Sequence, residues 1–211
     1  MIISYGSLRL ETIKEHHIEI IRKWRNSKSI KKTMLFQDTI STKQQSAWFK
    51  VVTEENQLFF LCYEKNEAIG IIYANKIDWL SKISYNSGIF LVKKEIYGTG
   101  IPIQLGILFT QCGFAFGIKE NRIIVRNDNR NAINFNESMG YQCVEQFEDY
   151  GIYTVDKSSF DSKLQNIPTS LKTNSPVTLI WENLPSDLFL QNLFKNDFSS
   201  LAPFFEIKIR E

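Results

Sequence analysis

From Ile101 to Ile118 the chain runs eighteen residues without a charge, through a segment rich in Ile, Leu and Phe. Such a stretch has two physical outlets: a lipid bilayer, or a helix buried on most of its faces inside a protein. A spanning helix needs about twenty mostly apolar residues. This one carries Pro102, Gln104, Thr110, Gln111 and three glycines between two strand-like runs. The expectation is therefore a helix wedged against a sheet, with no membrane involvement.

The elements around it support a mixed α/β chain. Residues 7–13 alternate as a strand. Ile13, His17, Ile20, Ile21 and Trp24 then fall at helical spacing as far as Asn26. Ser41 with Gln44 is a capping-box pair opening a second helix, one face of which carries Gln44, Ala47, Trp48 and Val51. Strands are predicted at 57–63, 68–75 and 84–92, the first two joined by a turn at 64–67. After the long helix come a strand at 122–126, a helix capped by Asn129 and stopped by Gly140, and a strand pair at 141–155. Residues 157–176 are rich in Ser, Lys and Asn and read as a linker. Strand, helix and strand follow at 177–181, 185–194 and 204–209. The organisation expected is a main domain over 1–156, then a linker and small α/β appendage over 157–211.

Composition narrows the function. Twenty-five basic and 23 acidic residues leave a net charge of +2, without the strongly basic balance of a nucleic-acid binder. Cys62, Cys112 and Cys143 form neither a disulfide framework nor a Cys-x-x-Cys metal site. His16 and His17, the only histidines, are adjacent and point in different directions on a helix, so no metal is expected. Walker-type phosphate loops and nucleophile elbows are absent. The first residues, MIISYGSLRLE, have no apolar signal-peptide core, which leads to the expectation of a cytoplasmic protein.

Two segments carry chemistry. The first is Tyr97-Gly98-Thr99-Gly100-Ile101, between a strand and the long helix. Glycines at a helix start leave backbone N–H groups pointing outward at the positive end of the helix dipole, a seat for pyrophosphate. Taken alone, the same residues serve equally as a plain turn in which glycine supplies a positive φ. The second is Asn129, Ala132, Ile133, Phe135, Asn136, Gly140 and Tyr141, which alone is only an N-capped amphipathic helix with a glycine stop.

Together, over residues 7–155, these segments and the element order resemble the GNAT superfamily of acetyl-CoA-dependent N-acyltransferases. The first matches the pattern Gln/Arg-x-x-Gly-x-Gly/Ala after a strand ending Phe90-Leu91-Val92. The second matches Asn-x-x-Ala-Ile-x-x-Tyr-x-x-x-Gly-Phe/Tyr. The resemblance implies a mixed, mostly antiparallel sheet flanked by helices, and acyl transfer from acetyl-CoA to a small-molecule amine. It places pyrophosphate on Tyr97, Gly98, Thr99, Gly100 and Ile101. The pantetheine arm would run beside Phe90, Leu91 and Val92, with Asn129 and Phe135 against it. Three positions depart: Tyr97 replaces Gln or Arg, Pro102 replaces a small residue, and Asn136 stands where many members have a tyrosine acid. Asn136 can donate a hydrogen bond but not a proton; Tyr85 and Tyr141 are candidate substitutes, although either residue is also an ordinary packed aromatic.

On the acceptor side, Arg25, Asn26, Met34, Phe36 and Trp48 resemble the branch that acetylates nucleotide-linked amino sugars, as in pseudaminic-acid-type pathways. Arg25 would meet a diphosphate, and Met34, Phe36 or Trp48 would cover a base or sugar face. The Trp-Arg-Asn segment is also similar to ribosomal-protein N-terminal acetyltransferases. A coenzyme-A-binding module without turnover is a third reading, raised by Asn136. A homodimer through the tail is compatible with this sequence.

Overall fold

The computed structural model describes residues 1–52, 57–172, 176–182, 184–194 and 198–209. The chain opens with β1 (Ile2–Tyr5) and β2 (Leu8–Thr12), then α1 (Ile18–Asn26), the short α2 (Lys28–Lys31) and α3 (Thr42–Val52). Three long strands follow: β3 (Leu58–Glu64), β4 (Glu67–Asp78) and β5 (Ile83–Leu91). The uncharged segment is α4 (Ile101–Ala115); then come β6 (Glu120–Arg126), α5 (Arg130–Ser138), β7 (Gln142–Gln146) and β8 (Tyr150–Asp156). The last part holds α6 (Lys157–Leu164), β9 (Val177–Trp181), α7 (Pro185–Leu193) and β10 (Phe205–Ile209).

All the strands join one sheet in the order β10-β9-β1-β2-β3-β4-β5-β6-β8-β7. Neighbours are antiparallel except β5 with β6 and β9 with β10. The expected mixed, mostly antiparallel sheet with flanking helices is thus the observed one. The hairpin at 64–67 turns through Lys65 and Asn66 with φ of 48° and 70°, the handedness that two-residue hairpins favour. The Ser41 capping box forms: Gln44 N donates to Ser41 Oγ, and Ser41 N donates to Gln44 Oε1.

Strand alternation sorts the core. In β3, Phe60 and Cys62 pack toward α4 with Leu105, Leu108 and Cys112. Phe59 and Leu61 pack toward α1, α2 and α3 with Ile21, Ile30 and Val52. A third cluster joins Ile107 of α4 to Ile133 of α5, Phe160 of α6, and Ile123 and Val155 of β6 and β8. Because α4 serves two of these clusters, it must be apolar on most of its surface. At fifteen residues it is not long enough to cross a membrane, nor is any other helix among the described residues.

The structure differs from the sequence reading at both ends of the chain. β1 precedes the first strand predicted, and it occupies an interior place between β2 and β9. The predicted linker begins as α6: Asp156 Oδ1 accepts from Ser159 N at 2.7 Å, and Phe160 is fully buried. Polar composition hid a capped helix with a single buried anchor. The final strand, helix and strand do form, but β9 and β10 extend the main sheet, with Val177, Leu179, Trp181, Leu201 and Phe205 in the α4 core. The Met1 ammonium lies 2.8 Å from Asp187 Oδ2, both groups fully buried, which ties the tail to β1. His17 is buried and accepts from Lys14 N through Nδ1; burial lowers its pKa, and His16 is exposed.

Trp181 tests this integration. Trp181→Ala should cost about 3–5 kcal/mol and lower the temperature of one whole-chain melting transition by roughly 10 °C or more. A calorimetric scan in which only a separate minor transition moves would show the tail to be an independent appendage.

Candidate active site

β5 and β6 start as a pair and then part. Their parallel register covers Ile83, Ser84 and Tyr85 against Glu120, Asn121 and Arg122, and goes no further. The break is local: Asn86 has φ 53°, a left-handed conformation that asparagine tolerates better than most residues. In the β4–β5 ladder the register passes from Lys76↔Tyr85 to Ala74↔Ser87, with Asn75 and Asn86 between. Beyond that point β5 keeps β4 on one side and leaves its other edge without a β6 partner. Val92 N donates to Ile69 O at 2.9 Å. Antiparallel alternation therefore turns the main-chain groups of Ser87, Ile89 and Leu91 to the free edge.

The glycine turn lies at the far end of this edge. Tyr97 Oη donates to Leu91 O at 2.7 Å, closing the loop back on β5; burial raises the phenol's pKa. Gly98 has φ 92° with open space where a side chain would start, so this position requires glycine for its backbone alone. Ile101 N donates to Thr99 Oγ1, and Gln104 N makes the first full helical bond, to Gly100 O. Gly100 faces a different neighbour from the one expected. A Cβ there would lie 2.2 Å from Leu171 Cδ2, so the tail, held by Gln104 Nε2 donating to Ser170 O, covers that side. Pro102 sits in the first helical turn, where its missing N–H breaks no helical bond.

Across the gap, Asn129 caps α5: its Oδ1 accepts from Ala132 N at 3.2 Å. Asn136 Nδ2 donates to Ala132 O at 2.7 Å, within its own helix. Phe135 packs into the α4–α5 core, its ring against Gly106.

The opposite face of the sheet holds a cavity of about 250 Å³ under α1 and α3, floored by β3, β4 and β5. Arg25, Phe36, Gln45, Trp48, Tyr73 and Phe90 are among its walls. Phe59 stacks on Tyr73 at 4.9 Å and takes the edge of Trp48 at 5.2 Å. Two buried donors there have no partner among the described residues, Arg25 Nε and Gln45 Nε2; Gln45 is only 4 % exposed. Among the described residues no carboxylate lines the cavity.

A mixed sheet with a glycine turn at a helix start just past its β5 edge is the geometry the sequence resemblance implies, and comparisons with known proteins agree. The acetyltransferase (GNAT) domain family matches residues 10–162. The chain belongs to the GNAT acetyltransferase family. It is accordingly an acetyl-CoA-dependent acetyltransferase, with acetyl-CoA as cosubstrate supplying an activated acyl thioester. A comparison with curated protein sequences finds no match. Among solved structures, spermidine N-acetyltransferase from Vibrio cholerae in complex with CoA and spermine is 16 % identical, with TM-score 0.65 over 74 % of this chain and 99 % of that one. RimL, a ribosomal L7/L12 α-N-protein acetyltransferase with coenzyme A, is 19 % identical, with TM-score 0.64 over 75 % and 99 %. FdhC, described as a nucleotide-linked sugar GNAT, is 18 % identical, with TM-score 0.65 over 79 % and 96 %. At these identities the neighbours share the fold.

Within this GNAT frame the predicted site residues separate. Arg25, Phe36 and Trp48 meet at the cavity. Asn26 does not: its Nδ2 donates to Ile40 O and its Oδ1 accepts from Ile40 N, both at 2.8 Å, so it holds the loop after α2. Met34 packs against the α1–α3 core and is not among the cavity walls. Phe90 faces the cavity, and of Phe90, Leu91 and Val92 only Leu91 turns its main chain to the free edge. The edge available to a pantetheine arm is therefore centred on Ser87 and Ile89. Phe135 is half-buried against the α4–α5 core. Tyr141 is corrected to a core residue, 4 % exposed, whose hydroxyl accepts from Asn121 Nδ2 at 2.6 Å and bonds Thr110. Tyr85 stands between Lys76 and Arg122, whose cationic groups lie 6.0 and 5.6 Å from its ring centre. Sequence reasoning missed Tyr73, which reads only as a strand aromatic.

The turn is tested at Gly98. Valine cannot hold φ 92° without about 1–3 kcal/mol of strain, so Gly98→Val should re-form the loop. The expected result is at least a tenfold weaker Kd for acetyl-CoA by calorimetry, with melting lowered by only a few degrees. An unchanged Kd would place the anion seat elsewhere.

Proposed function

We propose that this acetyltransferase moves the acetyl group onto the amino group of a nucleotide-linked amino sugar, by direct attack of the amine on the thioester. The observation that carries this reading is the cavity's polar lining: two buried unpartnered donors and, among the described residues, no carboxylate. A buried arginine edge and a buried amide edge with no protein partner call for oxygen acceptors on the ligand. A polyamine brings only donors and positive charge, and among the described residues these walls offer it no carboxylate and place the Arg25 cation beside it. A sugar brings hydroxyl and carbonyl oxygens and apolar faces suited to Phe36 and Trp48.

Size and charge support the same assignment. About 250 Å³ is below the range of pockets that enclose a drug-sized ligand; it suits one ring and leaves a nucleotide outside. Along the same face of the sheet, past Asn86, Lys76 and Arg122 flank the Tyr85 ring, Arg122 with its Nε paired to Glu120. This offers Lys76 and the outer nitrogens of Arg122 for phosphate and an aromatic face for a base. On the free β5 edge, a main-chain N–H from Ser87 or Ile89 would polarise the thioester carbonyl.

Incubation with labelled acetyl-CoA and an equimolar mixture of an amino-sugar nucleotide, spermidine and an N-terminal peptide tests the assignment by mass spectrometry. Label is expected on the sugar nucleotide; label confined to the peptide or to spermidine overturns it. Arg25→Met should raise KM for the sugar nucleotide about 10- to 100-fold, the loss of one charged hydrogen bond, and leave KM for acetyl-CoA unchanged.

A further inference from the structure

We propose that Tyr73 is the proton-transfer residue of this acetyltransferase, placed on β4 and reaching the reaction centre across Gly88 of β5. The proposal rests on the acetyl-transfer reading and not on the identity of the acceptor.

Three observations converge. First, Tyr73 and Gly88 are direct partners in the β4–β5 ladder. A Cβ at position 88 would lie 2.7 Å from the Tyr73 hydroxyl oxygen and 2.9 Å from Cζ. The phenol therefore lies on the bare Cα of Gly88, and any side chain there would displace it. Second, Gly88 stands between Ser87 and Ile89, whose main-chain groups turn to the free edge where β5 has left β6. A thioester held along that edge would lie about one residue's width from the hydroxyl. Third, the phenol also borders the acceptor cavity, so one group faces both the leaving sulfur and the incoming amine.

The remaining candidates are engaged elsewhere. Asn136 donates to Ala132 O and has no titratable proton. The Tyr141 hydroxyl is enclosed with Asn121 and Thr110. Tyr85 sits on the far side of the Asn86 break, between two cations. The Tyr73 hydroxyl has no hydrogen bond among the described residues; burial raises its pKa, so it is protonated at neutral pH, and among the described residues the charged group facing it is Arg25.

The chemistry balances without another reactant. The amine lone pair forms the C–N bond, and the thioester carbonyl takes the negative charge. Collapse breaks the C–S bond, and the electron pair leaves with sulfur. The Tyr73 proton moves to sulfur, giving the thiol, and the phenolate, steadied by Arg25, takes the proton from the new amide nitrogen. Tyr73 ends as it began.

Tyr73→Phe keeps the ring stacked on Phe59 and removes only the hydroxyl. Expected are a kcat about a hundredfold lower, an unchanged Kd for acetyl-CoA, and melting within a few degrees of wild type. A second readout needs no acceptor. With coenzyme A labelled with carbon-13 beside the thiol, NMR titration of the bound ligand follows thiol ionisation. A phenol donating to the thiolate holds that ionisation below the ordinary value of about 8.5, and Tyr73→Phe should return it upward. Gly88→Ala, which pushes the phenol aside, should reproduce both effects. An unchanged kcat, or an unchanged thiol ionisation in Tyr73→Phe, overturns the proposal. Failure of wild type to bind coenzyme A at all overturns the acetyl-transfer reading instead, and the proposal with it.

Discussion

The parting of β5 from β6 is the constraint that the rest of the molecule serves. Two parallel strands that begin in register and then diverge leave main-chain donors and acceptors without partners, a costly state inside a protein and a useful one beside a ligand that can complete the ladder. The divergence needs something to hold the two halves of the sheet together, and α4 is placed to do it. One part of its surface packs on β2, β3, β4 and β5, and another on α5, β6 and β8. A helix that bridges a split sheet has little surface left for charge. The uncharged stretch and the open strand edge are thus one feature seen at two levels.

The same break sets up the second face. Past Asn86 the side chains of β5 resume alternation one step out of phase, so Tyr85 and Gly88 share a face although three positions apart. α1 and α3 cover that face only over β3, β4 and β5, which leaves Tyr85, Lys76 and Arg122 uncovered beside the cavity. A recess next to an exposed strip that carries Lys76 and Arg122 is the arrangement that the proposed ligand, a small reactive ring with a charged remainder, would use.

Much of this was legible in the sequence because it follows from local periodicity and capping. The Ser41 box, the Asn129 cap, the Gly98 turn and the uncharged helix each declare themselves within a few residues. What stayed hidden depends on distant partners. Nothing near Gly100 signals that Leu171 packs against it, and nothing near Asn26 signals its pair of bonds to Ile40. Tyr73 was invisible for a subtler reason. Its place over β5 comes from a strand register and from the absence of a side chain at position 88. Residues 157–164 misled in the other direction: three Ser and an Asp are poor helix evidence, but one Asp cap and one buried Phe suffice when the helix leans on an existing core.

The departures from the family pattern make sense when each is followed to its hydrogen bond. Tyr97, in place of Gln or Arg, binds the Leu91 carbonyl and fixes the loop against β5. Asn136, in place of a tyrosine, bonds its own helix. Pro102 gives up a donor where the helix requires none. At each of these positions the polar group has become part of the scaffold or has gone. The buried donors around the cavity that have no partner among the described residues, Arg25 Nε and Gln45 Nε2, lie on the α1–α3 side together with the Tyr73 phenol. A chain that turns the usual polar positions on α4 and α5 into structure leaves the opposite face of the sheet as the place proposed for proton transfer and substrate contact. That is the face on which the structure gathers Arg25, Gln45 and Tyr73.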